Sequence, residues 1–316
     1  MNIAYRFRIY PNREQEVLLA KTFGCCRFLY NQMLNDKIRE YEATKKMLRN
    51  TPAMYKKAYP FLKEVDSLAL ANVQLHLEKA YKNFFRDPKV GFPRFKSKHH
   101  SKNSYTTNVV NGNILVESKR IRLPKLKWIA MKKHREPAEG LRLKSVTVSM
   151  EPSGKYFASL LYEGYSCENQ AAVSDYSTAK ILGIDYAMQG MAVFSEKIET
   201  EEAGFFRKNE KRLAREQRKL SRCVRGSHNY ELQKKKVARC HEKIRNQRRD
   251  YLHKLSRKIA DGYDAVAVED IDMKAMGQCL HFGKSVQANG YGMFREMLDY
   301  KLAWKGKKMI KVDRFF

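Results

Sequence analysis

The sequence predicts an α+β protein of more than one domain, and three patterns support this prediction. Short alternations of apolar and polar residues, near the N-terminus and between 104 and 165, are typical of antiparallel strands. Longer amphipathic stretches, between these strands and after residue 205, predict helices. Two apolar runs, at 181–185 and 265–269, have the length of buried strands, and each ends on a carboxylate. At 316 residues the chain has room for about two domains.

The N-terminal region is predicted to be one strand followed by helices. Residues 5–9 alternate apolar and polar side chains, and Pro11 ends the strand. Asn12 and Gln15 have the spacing of a capping box, which predicts a helix start. A further amphipathic helix is predicted from about 67 to 85.

A group of short antiparallel strands is predicted next. The clearest are 113–116, 145–148 and 156–161, and residues 152–155 have the composition of a hairpin turn. We expect these strands to form a small β-barrel or a curled sheet. Its first strand is predicted to be 5–9, so the helices would be inserted between the first and second strands.

The second half of the chain is predicted to alternate strands with helices. A hairpin is predicted at 181–194, long charged helices at 206–260, a strand at 265–269, a helix at about 293–304 and a last strand at 309–312. Within the charged helices an apolar residue recurs every seventh position, so one face is expected to pack.

Two carboxylates, Asp185 and Glu269, close the two buried-strand patterns. If these strands are neighbours, the carboxylates lie together, as divalent-metal chemistry on phosphodiesters requires. A two-metal site holds ions about 3.5–4 Å apart and usually needs a third carboxylate, which the pattern does not supply. The alternative is that both residues only form turns or cap helices.

The charge balance indicates a polyanionic partner. Lys and Arg number 63 against 34 Asp and Glu, a formal charge of +29. No apolar stretch approaches 18 residues, so we expect a cytoplasmic, nucleoid-associated protein that does not bind membranes. The six cysteines form no C-x-x-C pair and the histidines have no metal-ligand spacing, so no zinc site is predicted.

Two cation-rich segments are candidate nucleic-acid contacts. In the segment Gly91–Lys98, aromatic rings alternate with cations, a mixture that suits stacking on bases and contact with phosphates. Its candidate residues are Arg94, Phe95, Lys96 and Lys98. A basic solvated loop is the alternative.

In the charged helices, eight cations between 207 and 222 face only two acids, Glu210 and Glu216, which favours a phosphate backbone as neighbour over a solvated face. The candidates are Arg207, Lys211, Arg215, Arg218, Lys219, Arg222, Arg245, Arg248 and Arg249.

Several ordered motifs together resemble one family, the OrfB/TnpB proteins of insertion sequences, which are relatives of type V CRISPR effectors. The resemblance spans the chain and rests on Tyr5–Asn12, Phe23–Asn31, Gly91–Lys98, Leu182–Asp185, Asn246–Ser256 and Val268–Asp270.

The resemblance implies an RNA-guided DNA endonuclease with a guide RNA and double-stranded target DNA as partners. It implies a β-barrel wedge domain at 1–11 and 104–178, a helical recognition domain at 12–103 and a RuvC-like, RNase H-like nuclease domain at 179–316. Asp185 and Glu269 would hold Mg²⁺ and activate the water that attacks phosphate.

The family pattern continues past the last residues of this sequence into a zinc ribbon that binds Zn²⁺ and a third catalytic Asp. We therefore expect impaired cleavage. The alternatives are a nuclease-deficient RNA-guided DNA-binding protein or repressor, and an ordinary transposase that joins DNA ends.

The resemblance also implies that the protein reads a short motif beside the target while the guide reads the rest. Candidate readers are Gln74, Tyr105, Thr107 and Asn108. Gln and Asn can pair with adenine edges and Thr can contact a thymine methyl.

Overall fold

The computed structural model describes residues 2–98, 100–164, 179–187, 191–198, 205–271 and 290–313. The chain divides into two compact units, Met1–Tyr165 and Ser166–Phe316. Within the described residues, no helix combines the length and the apolar character that crossing a membrane needs.

In the first unit, the described residues form three α-helices and seven strands. The helices are α1 (Arg13–Thr44), α2 (Pro52–Ala58) and α3 (Ser67–Arg86), with single 3₁₀ turns at Pro60–Lys63 and Pro88–Val90. The strands are β1 (Asn2–Tyr10), β2 (Asn103–Asn108), β3 (Leu115–Val116), β4 (Arg120–Leu123), β5 (Lys127–Lys132), β6 (Arg142–Met150) and β7 (Tyr156–Glu163).

All seven strands join one sheet in the order β2-β6-β7-β1-β5-β4-β3. Strand β1 pairs antiparallel with both β7 and β5, so the helices are inserted between the first two strands, as predicted. Of the two expected forms, a closed barrel would require the end strands to pair, and in the described residues β2 and β3 are the two unpaired ends of this order. The described strands form an open sheet.

Helix α1 begins at the predicted capping box. Asn12 accepts a hydrogen bond from the backbone N–H of Gln15, and the Gln15 side chain accepts one from Asn12. The Gln15 amide also donates to the carbonyls of Leu126 and Trp128, which ties the helix start to the sheet.

In the second unit, the described residues form four strands and three α-helices. Its elements are β8 (Ile181–Ala187), β9 (Met191–Phe194), α4 (Phe205–Ser221), α5 (His228–Gly262), β10 (Ala265–Glu269), α6 (Tyr291–Trp304) and β11 (Lys308–Val312). The sheet order is β11-β10-β8-β9. Strands β8, β10 and β11 are parallel, and β9 returns antiparallel beside β8 as the predicted hairpin.

Helix α5 packs on two different partners along its length. Toward its C-terminus, Leu252, Leu255 and Ile259 lie in the core shared with the sheet and α6. Toward its N-terminus, Val237 and Ile244 pack with α4 in a separate small core, which confirms the seven-residue apolar stripe. We call residues 209–249 of this helix pair the basic arm.

Candidate active site

Strands β8 and β10 form because each carries a run of buried apolar residues on one face. Leu182 and Ile184 on β8, and Val266 and Val268 on β10, are buried against α5 and α6. Side chains alternate between the two faces of a strand, so Gly183, Asp185, Ala267 and Glu269 belong to the opposite face.

The register places the two predicted carboxylates beside each other. Val266 pairs with Leu182 and Val268 with Ile184, so the next position along the two parallel strands brings Glu269 beside Asp185. Neighbouring strands lie about 4.8 Å apart, and side chains at paired positions point to the same face. Asp185 is exposed and Glu269 half-buried, and both line one open pocket of about 370 Å³.

Small residues keep this pocket open. Gly183 and Ala267 line it two residues before the carboxylates, on the same face of each strand, and neither projects a large side chain. The Gly183 N–H donates to the Ser195 hydroxyl at 2.9 Å, and the Ser195 N–H donates to the Gly183 carbonyl. A Cβ on residue 183 would lie 3.4 Å from the Ser195 Cβ, so glycine here permits the close approach of β8 and the residue after β9.

Tyr291, the first residue of α6, lies in the core behind the pocket, close enough for the charges of both acids to act on it, and the sequence did not reveal this position. It is only 1% exposed, and within the described part of the chain its hydroxyl has no hydrogen-bond partner. Its ring packs edge-on against Tyr186 at 5.1 Å. Burial raises the pKa of Tyr291; the Arg295 charge opposes this rise, and the negative charges of Asp185 and Glu269 add to it. Both carboxylates therefore act on one phenol.

Asp270, the residue after Glu269, has a different environment. The Arg295 guanidinium lies 3.5 Å from its carboxylate and the Lys311 ammonium 3.7 Å from it. Within the described residues, no three His, Cys, Asp or Glu side chains group closely enough to hold a metal ion. The geometry therefore brings together two acids, Asp185 and Glu269.

The cations of the basic arm face solvent. The exposed candidates are Lys211, Arg215, Arg218, Lys219, Arg222, Arg245 and Arg249. Arg248 differs, because it is half-buried, its pKa is lowered by burial, and Gly290 packs against its side chain. The side chain of Arg207 lies outside the described residues.

The arm is held together by a buried polar bridge. The Gln233 amide on α5 donates to the backbone carbonyl and the carboxylate of Glu216 on α4, at 3.0 and 2.8 Å. This hydrogen bond lowers the pKa of Glu216. One of the two acids opposing the α4 cations is thus engaged in helix packing.

The aromatic and basic segment Gly91–Lys98 is anchored to α1. Asn31 exchanges two hydrogen bonds with the backbone of Lys96, at 2.8 and 2.9 Å, and the Lys96 ammonium lies 3.8 Å from the Tyr30 ring centre. Burial lowers the pKa of Lys96. Arg94, Phe95 and Lys98 are exposed, whereas the Lys96 side chain is half-buried against Tyr30.

The four candidate motif readers divide into two groups. Tyr105 and Thr107 are buried, and the Thr107 hydroxyl donates to Asp66, so the expectation that these side chains read bases is corrected. The reason is the alternation of β2, which turns these two positions inward. Gln74 and Asn108 are half-exposed, and Gln74 donates to Glu78.

Comparisons with known proteins add evidence from sequence. Residues 164–279 match the OrfB_IS605 family model, described as "Probable transposase", and residues 1–46 match a model described as "Helix-turn-helix domain". A Streptomyces pristinaespiralis protein named as an RNA-guided DNA endonuclease is 31% identical, covering 99% of this chain and 78% of its own. This chain belongs to the OrfB/TnpB family. InsQ of Escherichia coli strain K12, similarly named, is also 31% identical, covering 98% of this chain and 80% of its own.

The fold of this family member is similar to a solved structure. A chain in the cryo-EM structure of the Cas12f1-sgRNA-target DNA complex matches with a TM-score of 0.58 and 13% identity, over 99% of this chain and 89% of that chain. The described part of residues 1–46 forms strand β1 and the single helix α1. The name of the matched helix-turn-helix model therefore does not describe the secondary structure of this segment.

Proposed function

We propose that this OrfB/TnpB protein is an RNA-guided, Mg²⁺-dependent DNA endonuclease of a transposable element. The observation that carries the proposal is the pairing of Asp185 and Glu269 at adjacent register positions of β8 and β10, in one open pocket. The names of the two relatives support it, since both are described as RNA-guided DNA endonucleases.

The donor set of the pocket fits Mg²⁺. Carboxylate oxygens are the hard ligands that this ion prefers, and Asp185 and Glu269 would hold it. Bound Mg²⁺ supplies charge stabilisation at phosphate and lowers the pKa of a bound water. Gly183 and Ala267 leave space on the same face for a phosphodiester strand. The buried α5 and α6 side of the sheet fixes the positions of both strands.

The cleavage step is proposed to be weak in this chain. Two carboxylates satisfy few of the coordination positions of two Mg²⁺ ions, and the described residues bring no third acid to the pair. This observation also favours a second candidate function, an RNA-guided DNA-binding protein or repressor without effective cleavage.

The basic arm is proposed to bind nucleic-acid backbone. Its exposed cations project from two packed helices, and Lys or Arg contacts to phosphates give affinity that does not depend on sequence. A guide RNA, or the duplex it forms with DNA, is the proposed occupant.

Reading of a target-adjacent motif is proposed for the first unit. Gln74 and Asn108 are half-exposed side chains with amide groups that can pair with base edges. Arg27, Lys102, Ser104 and Thr106 line a pocket of about 320 Å³ in the same unit and are further candidate readers. Alanine at Gln74 and Asn108 together should relax the preferred motif in a library of randomised flanking sequences, with guide-RNA affinity unchanged. An unaltered motif would place the readers elsewhere.

The function is tested by cleavage of a target that matches RNA copurified with the chain. We expect cleavage that needs both Mg²⁺ and the RNA and that is lost in Asp185→Ala. Asp270→Asn is the matched control, since its carboxylate is paired with Arg295 and Lys311. RNA-directed DNA binding with no cleavage under any condition would favour the repressor function. Cleavage that is independent of RNA would contradict both.

A further inference from the structure

The end of α3 and the following turn bring four aromatic rings together. Tyr81 and Phe85 stack at 6.2 Å between ring centres, and Phe84 contacts Phe85 at 5.4 Å. Phe92 meets Tyr81 and Phe84 edge-on at 5.6 and 5.5 Å. We call Tyr81, Phe84, Phe85 and Phe92 the aromatic cluster.

The local sequence builds this cluster. Tyr81 and Phe85 are four residues apart on α3, which places them on one helix face. Gly91 has a φ of +79°, a conformation that L side chains rarely adopt, and it turns the chain so that Phe92 returns to the helix. The hydrogen bonds between Asn31 and Lys96 then hold the segment in place.

The cluster presents apolar rings to solvent. Phe85 is 67% exposed and Phe92 45% exposed, and the nearby Phe95 and Val90 are also exposed. A single exposed apolar residue is ordinary, but a contiguous patch rimmed by polar groups marks an interaction site.

The charge around the rings identifies the kind of partner. Lys82, Arg86, Lys89 and Arg94 are exposed, and in the described structure none of the four forms an ion pair with a carboxylate. Asp87 is the one acid between residues 80 and 98 of the sequence. Exposed rings with exposed, unpaired cations within a few residues in sequence match the two parts of a nucleotide, its base and its phosphate.

We propose that Phe85 and Phe92 form a stacking platform for an unpaired nucleotide, with Arg86, Lys89 and Arg94 contacting its phosphates. The inference goes beyond the proposed function, because this platform would bind a single strand whether or not the chain cleaves DNA. Unpaired RNA and a displaced DNA strand share the required chemistry.

The test uses the full chain and short labelled oligonucleotides, oligo(U) and oligo(dT), that carry one 5-iodo-pyrimidine for photo-crosslinking. We expect crosslinks at Phe85 or Phe92 by peptide mapping. Phe85→Ala should weaken binding by about 5- to 150-fold, the range for loss of one base–aromatic stack. Phe85→Trp should restore it. A greater loss with oligo(U) would assign the platform to RNA, and a greater loss with oligo(dT) to DNA.

Phe61→Ala is the matched control. Phe61 is 42% exposed and belongs to another ring cluster, with Phe28 and Tyr59, and Lys21 pairs with the acid Glu64 nearby in sequence. Its loss should leave affinity and crosslinks unchanged. Crosslinks confined to other peptides, or equal affinity of wild type and Phe85→Ala, would overturn the proposal. Dimers in sedimentation that Phe85→Ala dissociates would also overturn it, since the patch would then be an interface between copies.

Discussion

One helix, α5, serves two regions that use charge in opposite ways. Its C-terminal half supports the sheet whose open face carries Asp185 and Glu269. Its N-terminal half belongs to the basic arm, where cations outnumber acids and face solvent. In a chain of charge +29, two acids are thus concentrated in one pocket.

The two regions depend on different interactions: the pocket depends on packing, and the arm depends on the number of its cations. Strand register and the large core on the α5 and α6 side of the sheet fix the positions of the two acids. The arm has only a small core, of Leu213, Val237, Cys240 and Ile244. Phosphate contacts tolerate this arrangement, because they depend on the number of cations more than on exact positions. The two regions therefore predict different responses to salt, substitution and pH.

The largest expected effect is on the arm. RNA affinity should fall by roughly 10³–10⁵ between about 50 and 200 mM salt if about 6–10 phosphates are contacted. Glutamine at Lys211, Arg215, Arg218 and Arg222 should reduce the slope of log affinity against log salt by about 3, as expected for four lost contacts. Fluorescence anisotropy over a salt series measures both values.

Lys254→Gln with Arg257→Gln is the control on the other half of α5. These cations already pair with Asp250 and Asp261, at 2.7 and 3.5 Å. The double variant should keep the wild-type salt slope. Equal slopes in all three proteins would mean that the arm is merely a solvated surface.

The pocket should respond to loss of a single acid. Any Mg²⁺-dependent cleavage should fall by at least about 10²-fold in Asp185→Ala or Glu269→Ala, since a metal contributes several kcal/mol of transition-state stabilisation. RNA affinity should remain at the wild-type value in both variants. Gel assays measure cleavage and fluorescence anisotropy measures RNA binding, so the two effects can be separated. A parallel loss of RNA binding would contradict separate functions for the pocket and the arm.

Stability should also differ between the two halves of α5. Leu252 is fully buried beneath the sheet, so Leu252→Ala should lower the free energy of unfolding by about 2–5 kcal/mol. Leu232, exposed on the arm half, should change it by about 0.5 kcal/mol or less when replaced by alanine. Chemical denaturation of both variants measures the contrast, and equal losses would contradict the two-core account.

The smallest expected effect is a pH dependence at the support of the pocket. Burial lowers the pKa of Lys301 on α6 to about 8, while its ammonium donates to the His253 carbonyl and the Ser256 hydroxyl on α5. The unfolded chain then binds more protons between pH 8 and 10.5, so the Lys301 contribution to stability rises with pH over that window. In Lys301→Met, the free energy of unfolding measured by chemical denaturation should rise less over the same pH window. Identical slopes of this free energy against pH in wild type and Lys301→Met would exclude the lowered pKa of Lys301.

The sequence predicted most elements and the carboxylate pair, because strand periodicity and the residues that end each strand are local signals. Asp185 and Glu269 could be found in this way, as could the Asn12 capping box. The proximity of Tyr291 to these acids could not, since it depends on where α6 begins relative to two distant strands. The burial of Thr107 and the open order of the first sheet could not be predicted for the same reason: burial and sheet closure are set by tertiary contacts.

The central claim, that Asp185 and Glu269 form one metal site, is tested most directly by Mn²⁺ titration followed by electron paramagnetic resonance, with Mn²⁺ in place of Mg²⁺. Wild type is compared with Asp185→Asn, Glu269→Gln and the double variant, and Asp270→Asn is the control. We predict that each single variant loses most of the Mn²⁺ affinity and that the double variant loses little more, because both acids hold the same ion. Additive losses, or unchanged affinity in either single variant, would contradict the shared site.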